Sequence, residues 1–449
     1  MDILSMIGNA GVVGCGGAGF PTHLKLRGRF EWLIVNGAEC EPLLWNDKYL
    51  MREKAPELVS TVVGLQRALS IPKAAIALKR HYHAETAALQ GAVEAAGAGI
   101  EIRGLDGFYP AGDEQTLVYE VTGRVVPPAG LPGQVGAVVD NVATVLAIHD
   151  ALEGVPLTRR LLTVTGEVNR PVIVDAPVGA SFADCLRLAG GLRRADAYIL
   201  SGGPMMGRPV PADRLDGTFV TKTTSGIIAL PPDGPAAVRR EIAPARMLAR
   251  ARSACIQCSY CTQLCPRHLL GHPLEPHRIM RRMAAGADPA AAAEDPILQT
   301  AQLCCECGVC EEYACPMGLN PRRINAMLKG ELARAGFRFR YDGPACVPGP
   351  WRDMRKAPTE RIAARAGLRD YADIEINDLV VAAPERVTIP LRMHIGRPSV
   401  PVVRVGDAVT AGDLIAEAAE SGPGARIHAS LTGRIAQIDD NITIERERV

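Results

Sequence analysis

The stretches that decide the reading of this chain are CIQCSYCTQLCP at 255–266 and CCECGVCEEYACP at 304–316. In each, three cysteines recur at every third residue, and a further cysteine stands directly before proline. That is the thiolate spacing of two [4Fe–4S] cubes, in which the cysteine before proline ligates the other cluster. The predicted sets are crossed. Cys255, Cys258 and Cys261 would share a cube with Cys315, and Cys304, Cys307 and Cys310 one with Cys265. Structural zinc, the competing reading, uses four ligands, usually as two separated C-x2-C pairs. Each run here overshoots that pattern. The second run has four residues before its last cysteine where the first has three, and it carries a spare thiol, Cys305. Cys304 keeps the register and is the expected ligand.

Around these runs lie 449 residues with 47% apolar and only 4% aromatic content, so the cores must be built from Ala, Val, Leu and Ile. A chain of this length has room for three or four domains at roughly 100–200 residues each. Fifty basic residues balance 49 acidic ones, for a net charge of +1, which gives no electrostatic case for nucleic-acid binding. Thirteen cysteines, most of them in ligand spacing, point to a reducing compartment and not a disulfide scaffold. The start, Met1-Asp2, lacks a basic n-region, so no secretory signal is expected. No stretch of about 20 uncharged apolar residues occurs, so no spanning helix is expected.

Residues 1–155 alternate strand and helix patterns, with strands at Trp32–Val35, Ala74–Leu78 and from Ile100, and helices at 56–69, 84–96 and 114–121. That order predicts an α/β domain. Residues 156–235 read as a small α+β unit in which strands at 161–165 and 171–175 pair and Ser181 caps a helix. Residues 240–340 are helical apart from the cysteine loops. Pro344, Pro348, Pro350 and Pro358 mark 341–377 as a linker with one short helix. From 378 to 449 the pattern is β-rich with glycine turns.

GCGGAGFPTHLK at 14–25 offers backbone N–H groups and close approach to a phosphate or a ring. It lacks both the dinucleotide fingerprint and the Gly-Lys-Ser/Thr of a Walker loop. Composition alone leaves it between a structural turn and a ligand loop. The segment resembles the flavin loop of the NADH-binding flavoprotein subunit of respiratory complex I and of the Rnf electron-transport complex C subunit. LIVNGAECEP at 33–42, YPAGDEQTL at 109–117 and GAVVDNVAT at 136–144 agree with those families in the same order. The resemblance implies an FMN and NADH domain over 1–155. In it Gly17 and Gly19 approach the flavin and Lys25 meets its phosphate or ring edge. Asn36, Glu39 and Asn141 contact ribityl or isoalloxazine polar atoms, and Phe20, Glu41 and Glu114 lie on the nicotinamide side. The sequence departs from complex I at Cys15, where arginine is usual, and at the GDEQ stretch. Taken singly, Asn36 and Asn141 could cap turns, and Glu41 could be a solvated loop acid.

Residues 161–192 resemble an SLBB-type β-grasp unit, read here as a spacer holding flavin near the clusters. SGGPMMG at 201–207 fits the Rnf-like family, with Met205 and Met206 read as packing residues. The C-terminal segment resembles a barrel-sandwich, lipoyl-like module. The whole of 380–449 lacks lysine, which excludes a swinging lipoyl or biotinyl arm. The five histidines 81, 83, 268, 272 and 277 lack a tight ligand spacing and read as solvated or hydrogen-bonded.

The module order and both cysteine segments resemble the cobalamin reductases of propanediol-utilisation microcompartments along essentially the whole chain. The fold class expected is therefore multidomain α/β plus α+β, with a helical ferredoxin-like domain and an all-β terminal module. The resemblance implies a flavin and iron–sulfur oxidoreductase that passes electrons from NADH through FMN and two [4Fe–4S] clusters to cobalamin. It also implies a cytoplasmic location inside a microcompartment, with a corrinoid adenosyltransferase and shell proteins as partners. Two alternatives stay open: an Rnf-type C subunit feeding ferredoxin or membrane partners, and a non-enzymatic relay or docking subunit.

Overall fold

The computed structural model describes residues 2–17 and 19–447. Its first sheet has four parallel strands in the spatial order Ile100–Leu105, Lys73–Lys79, Trp32–Asn36, Ala137–Asn141. Three of them are nearly continuous buried runs because both faces are covered, whereas the edge strand Ile100–Leu105 alternates buried and exposed residues. The helices Ala55–Leu69 and Val142–Leu152 pack on one face, and Glu114–Thr122 packs on the other. The chain leaves Trp32–Asn36 towards Lys73–Lys79 on one side and returns beside it as Ala137–Asn141 on the other. That reversal is a topological switch point, where open α/β sheets hold ligands beyond the carboxyl ends of their strands. Asn36 and Asn141 are the last residues of those two strands and lie opposite one another in register.

A six-stranded mixed sheet follows, built on Arg159–Gly166, Val172–Pro177, Tyr198–Ser201, Arg208–Val210 and Gly226–Leu230. Ser181 accepts a hydrogen bond from the Asp184 N–H and caps the helix Phe182–Leu188, as its position before an apolar run predicts. The sixth strand, Leu379–Val381, arrives from far along the chain and pairs in parallel with Val172–Pro177. Two antiparallel sheets of four and three strands close the chain around the core of Val387, Ile389, Ile415, Ile427, Ile435, Ile442 and Ile444. Val178 of the β-grasp unit joins that core. Lys222 is buried where three modules meet, and its ammonium donates to Gly11 O at 2.7 Å and Arg426 O at 2.6 Å.

Within 341–377, expected as a linker with one short helix, 341–356 is mostly exposed and irregular, whereas 357–372 is a packed strap. Ala357–Pro358 pairs with Phe108–Tyr109, and the helices Thr359–Arg365 and Arg369–Ala372 follow. Ile362, Ala363 and Leu368 are buried, and the Tyr371 hydroxyl donates to Glu167. The prolines that mark a linker also suit a strap that turns without regular structure; the apolar side chains between them decide which it is.

The cysteine domain is held by the helices Pro244–Ala254, Pro276–Ala284 and Pro321–Arg334 around a core of Ile279, Leu298, Ile324, Leu328 and Leu332. Tyr260–Gln263 is an α-helical turn, whereas Val309–Ala314 is a π turn. The wider π turn takes up the additional residue of the second run. The domain is tied to the first sheet by Arg267, two residues after Cys265, which bonds both oxygens of Asp113 at 2.5 and 2.9 Å. Both side chains are nearly buried. Replacing Arg267 with Leu strands a buried carboxylate and is expected to cost about 3–5 kcal/mol. Adding Asp113→Asn removes that charge and keeps a helix-capping side chain, so it should restore most of the loss. Denaturant midpoints of the single and double variants at pH 7 check this, and equal midpoints for the two would refute it.

Candidate flavin site and thiol sets

Beyond the switch point lies a cavity of about 900 Å³, partly open to solvent, walled by three modules. The first domain contributes Cys15, Gly16, Asn36, Glu39, Cys40, Glu41, Asn46, Asp47, Tyr109, Gly112, Asp113 and Asn141. The β-grasp unit contributes Arg160, Met206 and Ser225, and the cysteine domain contributes Cys305 and Cys307.

Local bonds explain why these side chains stand where they do. Asn36 donates to Gly112 O at 2.9 Å and accepts from Ala38 N at 3.1 Å. Asn141 accepts from Ala143 N, capping its helix, while its amide donates to Asp47 at 2.6 Å. Both asparagines therefore serve turns and also line the cavity. A Cβ at 112 would be tight, 3.0 Å from Asn36 Oδ1 and Cys40 Sγ, and the Gly112 N–H donates to Cys40 Sγ. Glu41 accepts from the amides of Met205 and Met206 at 2.7 and 2.9 Å, closing the SGGPMMG loop over the site. Met205 is fully buried, as a packing residue should be, but Met206 is half exposed on the cavity wall.

The electrostatics mark a site and not a stabilising core. Burial, reinforced by Asp47, pushes the Glu39 carboxyl well above its usual range. Burial raises Asp47 to about 6 against the opposing bond from Asn141, and it raises Glu41 to about 7. Arg160 is buried on the wall with its Nε unpartnered among the described residues, while its Nη2 donates to Cys15 O. An unpartnered buried guanidinium N–H suits an anionic or carbonyl oxygen of a bound group. Sequence reasoning passed over Arg160, although it sits among the buried residues of an apolar strand, where an arginine is out of place.

Of the other predicted flavin residues, Gly17, Gly19, Phe20, Lys25 and Glu114 do not line this cavity. Gly17 has φ +117° with open space at its Cβ position. Gly19 faces away, where a Cβ would stand 3.0 Å from Thr223 and 3.2 Å from His394 and Met393. It lets the β-grasp loop and the terminal barrel close on the glycine loop. Phe20 is half-buried, and its carbonyl accepts from Gly14 N. Lys25 pairs with Glu114 at 2.9 Å and with buried Asp140, one residue before Asn141, at 3.7 Å. Burial alone would lower the Lys25 pKa, but Asp140 and Glu114 hold it above its ordinary value.

The cysteines fall into two groups. Cys255, Cys258, Cys261 and Cys315 line one small cavity. Burial and then Cys315, Cys255 and Cys258 push the Cys261 thiol up to about 12. Burial and then Cys304, with Cys265 among its neighbours, hold Cys310 well above the thiol range. Cys265 is raised by burial and by Cys305 and Cys304. The cysteine before each proline thus sits with the other run. Among the described residues no three His, Cys, Asp or Glu side chains converge as a single ion would require. The four thiols of the first set surround a cavity instead. The two loops share a register: left-handed Gln257 and Ser259 correspond to left-handed Glu306 and Gly308. That register pairs Cys255 with Cys304 and leaves Cys305 matched to Ile256. Glu306 N donates to Cys304 Sγ and Leu319 N donates to Cys315 Sγ, both at 3.3 Å.

With this geometry in place, four family descriptions match along the chain. They are the Nuo51 FMN-binding domain at 7–150, the SLBB domain at 161–209, a 4Fe-4S dicluster domain at 254–320 and the RnfC barrel-sandwich hybrid domain at 373–449. FMN and iron–sulfur clusters are accordingly its cofactors. The cobalamin reductase PduS of Salmonella typhimurium is 42% identical over 99% of this chain and 96% of its own length. That of Citrobacter freundii is 41% identical over 97% and 95%. The C component of the proton-translocating ferredoxin:NAD(+) oxidoreductase complex of Clostridium ljungdahlii is 36% identical over 60% of this chain and 56% of its own. No helix among the described residues is long and apolar enough to cross a membrane.

The raised pKa of Asp47 carries a stability consequence with a definite sign. A carboxyl whose folded pKa lies above its unfolded value binds more protons when folded, so stability falls as pH rises from about 4 to about 6. Asp47→Asn should therefore stabilise the cofactor-free chain at pH 7 by roughly 1–3 kcal/mol, and by little at pH 4. Denaturation at the two pH values reads this; a gain that does not depend on pH would refute it.

Proposed function

This chain belongs to the PduS cobalamin reductase family, and on that footing we propose that it reduces cobalamin with electrons taken from NADH. The observation that carries the reading is one cavity lined both by the switch-point asparagines and by Cys305 and Cys307. A bound flavin accepts hydride as an electron pair and releases the electrons singly, which suits cubes that carry one at a time.

The chain's own residues supply the rest. Asn36, Asn141 and Arg160 offer polar contacts to the flavin, and Glu39 with Asp47 presents a protonatable acid pair beside it. Glu41 orients the Met205–Met206 loop that shields the cavity from water. The partly exposed Lys25–Glu114 pair and exposed Gly17 do not line this cavity, and a nicotinamide dinucleotide would meet the chain at them. Cys255, Cys258, Cys261 and Cys315 hold one cube, and Cys304, Cys307, Cys310 and Cys265 hold the other. Cobalt in a corrinoid takes electrons singly, from Co(III) to Co(II), and the reduced product is of use to a corrinoid adenosyltransferase. Action inside a propanediol microcompartment, with shell proteins as neighbours, follows from the same family reading.

Anaerobic mixing of the cluster-reconstituted protein with NADH and hydroxocobalamin tests this. Flavin bleaching followed by the cob(II)alamin spectrum is expected. Bleaching with an unchanged cobalamin spectrum would favour the Rnf-type reading, and no change in either would favour a non-enzymatic relay. Separately, Cys305→Ala should retain the iron of two cubes while Cys304→Ala loses that of one. The reverse result would move the ligand to Cys305.

A further inference from the structure

The two thiol sets differ in what surrounds them. The set containing Cys307 backs onto the flavin cavity, where the Tyr109 hydroxyl donates to Cys307 O at 2.8 Å. The cavity of Cys255, Cys258, Cys261 and Cys315 shares no residue with the flavin cavity, and its wall includes Ile256 and Met317. Ile256 is 61% exposed, Met317 is 40% exposed, and the adjacent Tyr260 is 47% exposed. Three large apolar side chains gathered at one exposed site need an explanation that scattered ones do not.

Cations lie near this collar in the chain, and one of them touches it. Arg246 and Arg250 stand four apart on the helix Pro244–Ala254 and so share a face, and Arg252 lies on its last turn, three residues before Cys255. Arg250 donates to the Met317 carbonyl at 3.5 Å, which places it at the patch. Arg281 follows Met280, which lines the same cavity. The nearby acids are already engaged, Glu275 with Arg278 and Asp295 with Arg282. Arg246, Arg250, Arg252 and Arg281 make no ion pair among the described residues. In a chain of net charge +1, this is a local concentration of unneutralised positive charge.

We infer that the collar of Ile256, Tyr260 and Met317, with Arg250 beside it, is the docking face for an acidic electron-accepting protein, a second acceptor beside cobalamin. Electrons would enter at the Cys307 set and leave at the Cys255 set. One electron passes to the partner at each docking, so two dockings discharge the pair delivered by one NADH. The inference rests on the reading that both thiol sets hold cubes. Complementary charge would speed encounter, and the apolar collar would supply the contact that excludes water.

The test is the EPR power saturation of the two reduced cubes in the holoprotein, with anionic chromium(III) oxalate as one relaxing probe and a cationic chromium(III) hexaammine as the other. One cube should be relaxed strongly, and at low salt the anionic probe should outdo the cationic one by about tenfold. Arg246→Glu with Arg250→Glu, both on an exposed helix face, should reverse that preference while iron content and flavin stay unchanged. The sensitive signal should be the one lost in Cys258→Ser and retained in Cys307→Ser. Equal relaxation of both cubes, or indifference to probe charge, would overturn the docking face. Preparations whose iron content and EPR show fewer than two cubes would overturn the cofactor reading beneath it instead.

Discussion

The bidentate contact between Arg267 and Asp113 is the constraint on which the rest of the arrangement depends. Arg267 follows directly on the Cys265-Pro266 turn, and Asp113 caps the helix Glu114–Thr122 and lines the flavin cavity. One ion pair thus fixes a thiol loop of one domain against the wall of another. Both ions are nearly buried, so each would be costly to bury alone, and together they admit a single relative placement of the two domains. Burial would raise the Asp113 pKa, but the guanidinium and the capping bonds hold it below the usual range, so the contact stays charged at neutral pH.

Because that contact sets the distance between cavity and thiols, the acids of the cavity can be arranged for chemistry and not for stability. Glu39, Asp47 and Glu41 are all held above their ordinary pKa by burial, each a local loss at neutral pH. A fold retains such groups where a bound partner or a proton uses them. The stability is made elsewhere, in the apolar strands beneath Asn36 and Asn141 and in the cores beneath each thiol loop. Lys222 and Gly19 then close the outer modules on the glycine loop without entering the cavity.

Much of this was legible in the sequence because it is periodic or locally determined. Thiolate spacing, the apolar runs of the parallel strands and the Ser181 cap are set by neighbours a few residues away. The x4 gap looked like an irregularity; the π turn at Val309–Ala314 shows it to be one residue taken up in the backbone, with the register of Cys304 intact. What stayed hidden depends on contacts between distant segments. Arg160 and Asp113 face the cavity only because the sheets meet there, and Arg267 sits in an otherwise ordinary CPRHLL stretch. Gly19 belongs to the loop whose glycines suggest flavin contact, yet it is glycine because the barrel's backbone passes within 3.2 Å of where its Cβ would be. The strap at 357–372 was hidden by the prolines of 341–377, which mark irregular backbone but do not say whether it is packed.

The same geometry bears on the direction of electron flow. Reducing a cube adds negative charge, which water and nearby cations stabilise and an apolar surrounding does not. Each thiol set has an amide donating to one of its sulfurs at the same 3.3 Å, so that contribution does not separate them. Exposure does, three to one in each set: Cys307, Cys310 and Cys265 are buried and Cys304 partly so, whereas Cys255, Cys258 and Cys261 are partly buried and Cys315 is buried. Arg250, bonded to the Met317 carbonyl and without an ion pair among the described residues, stands beside the second group. Both differences would favour the reduced form of a cube held by the outer set, which would let an electron arriving beside the flavin move outward. The spare Cys305 occupies the register position of Ile256 in the other loop. At one cube that position is an exposed apolar side chain at the surface, and at the other it is a thiol on the flavin wall. One repeated loop is thereby fitted at its two ends for reception and for delivery.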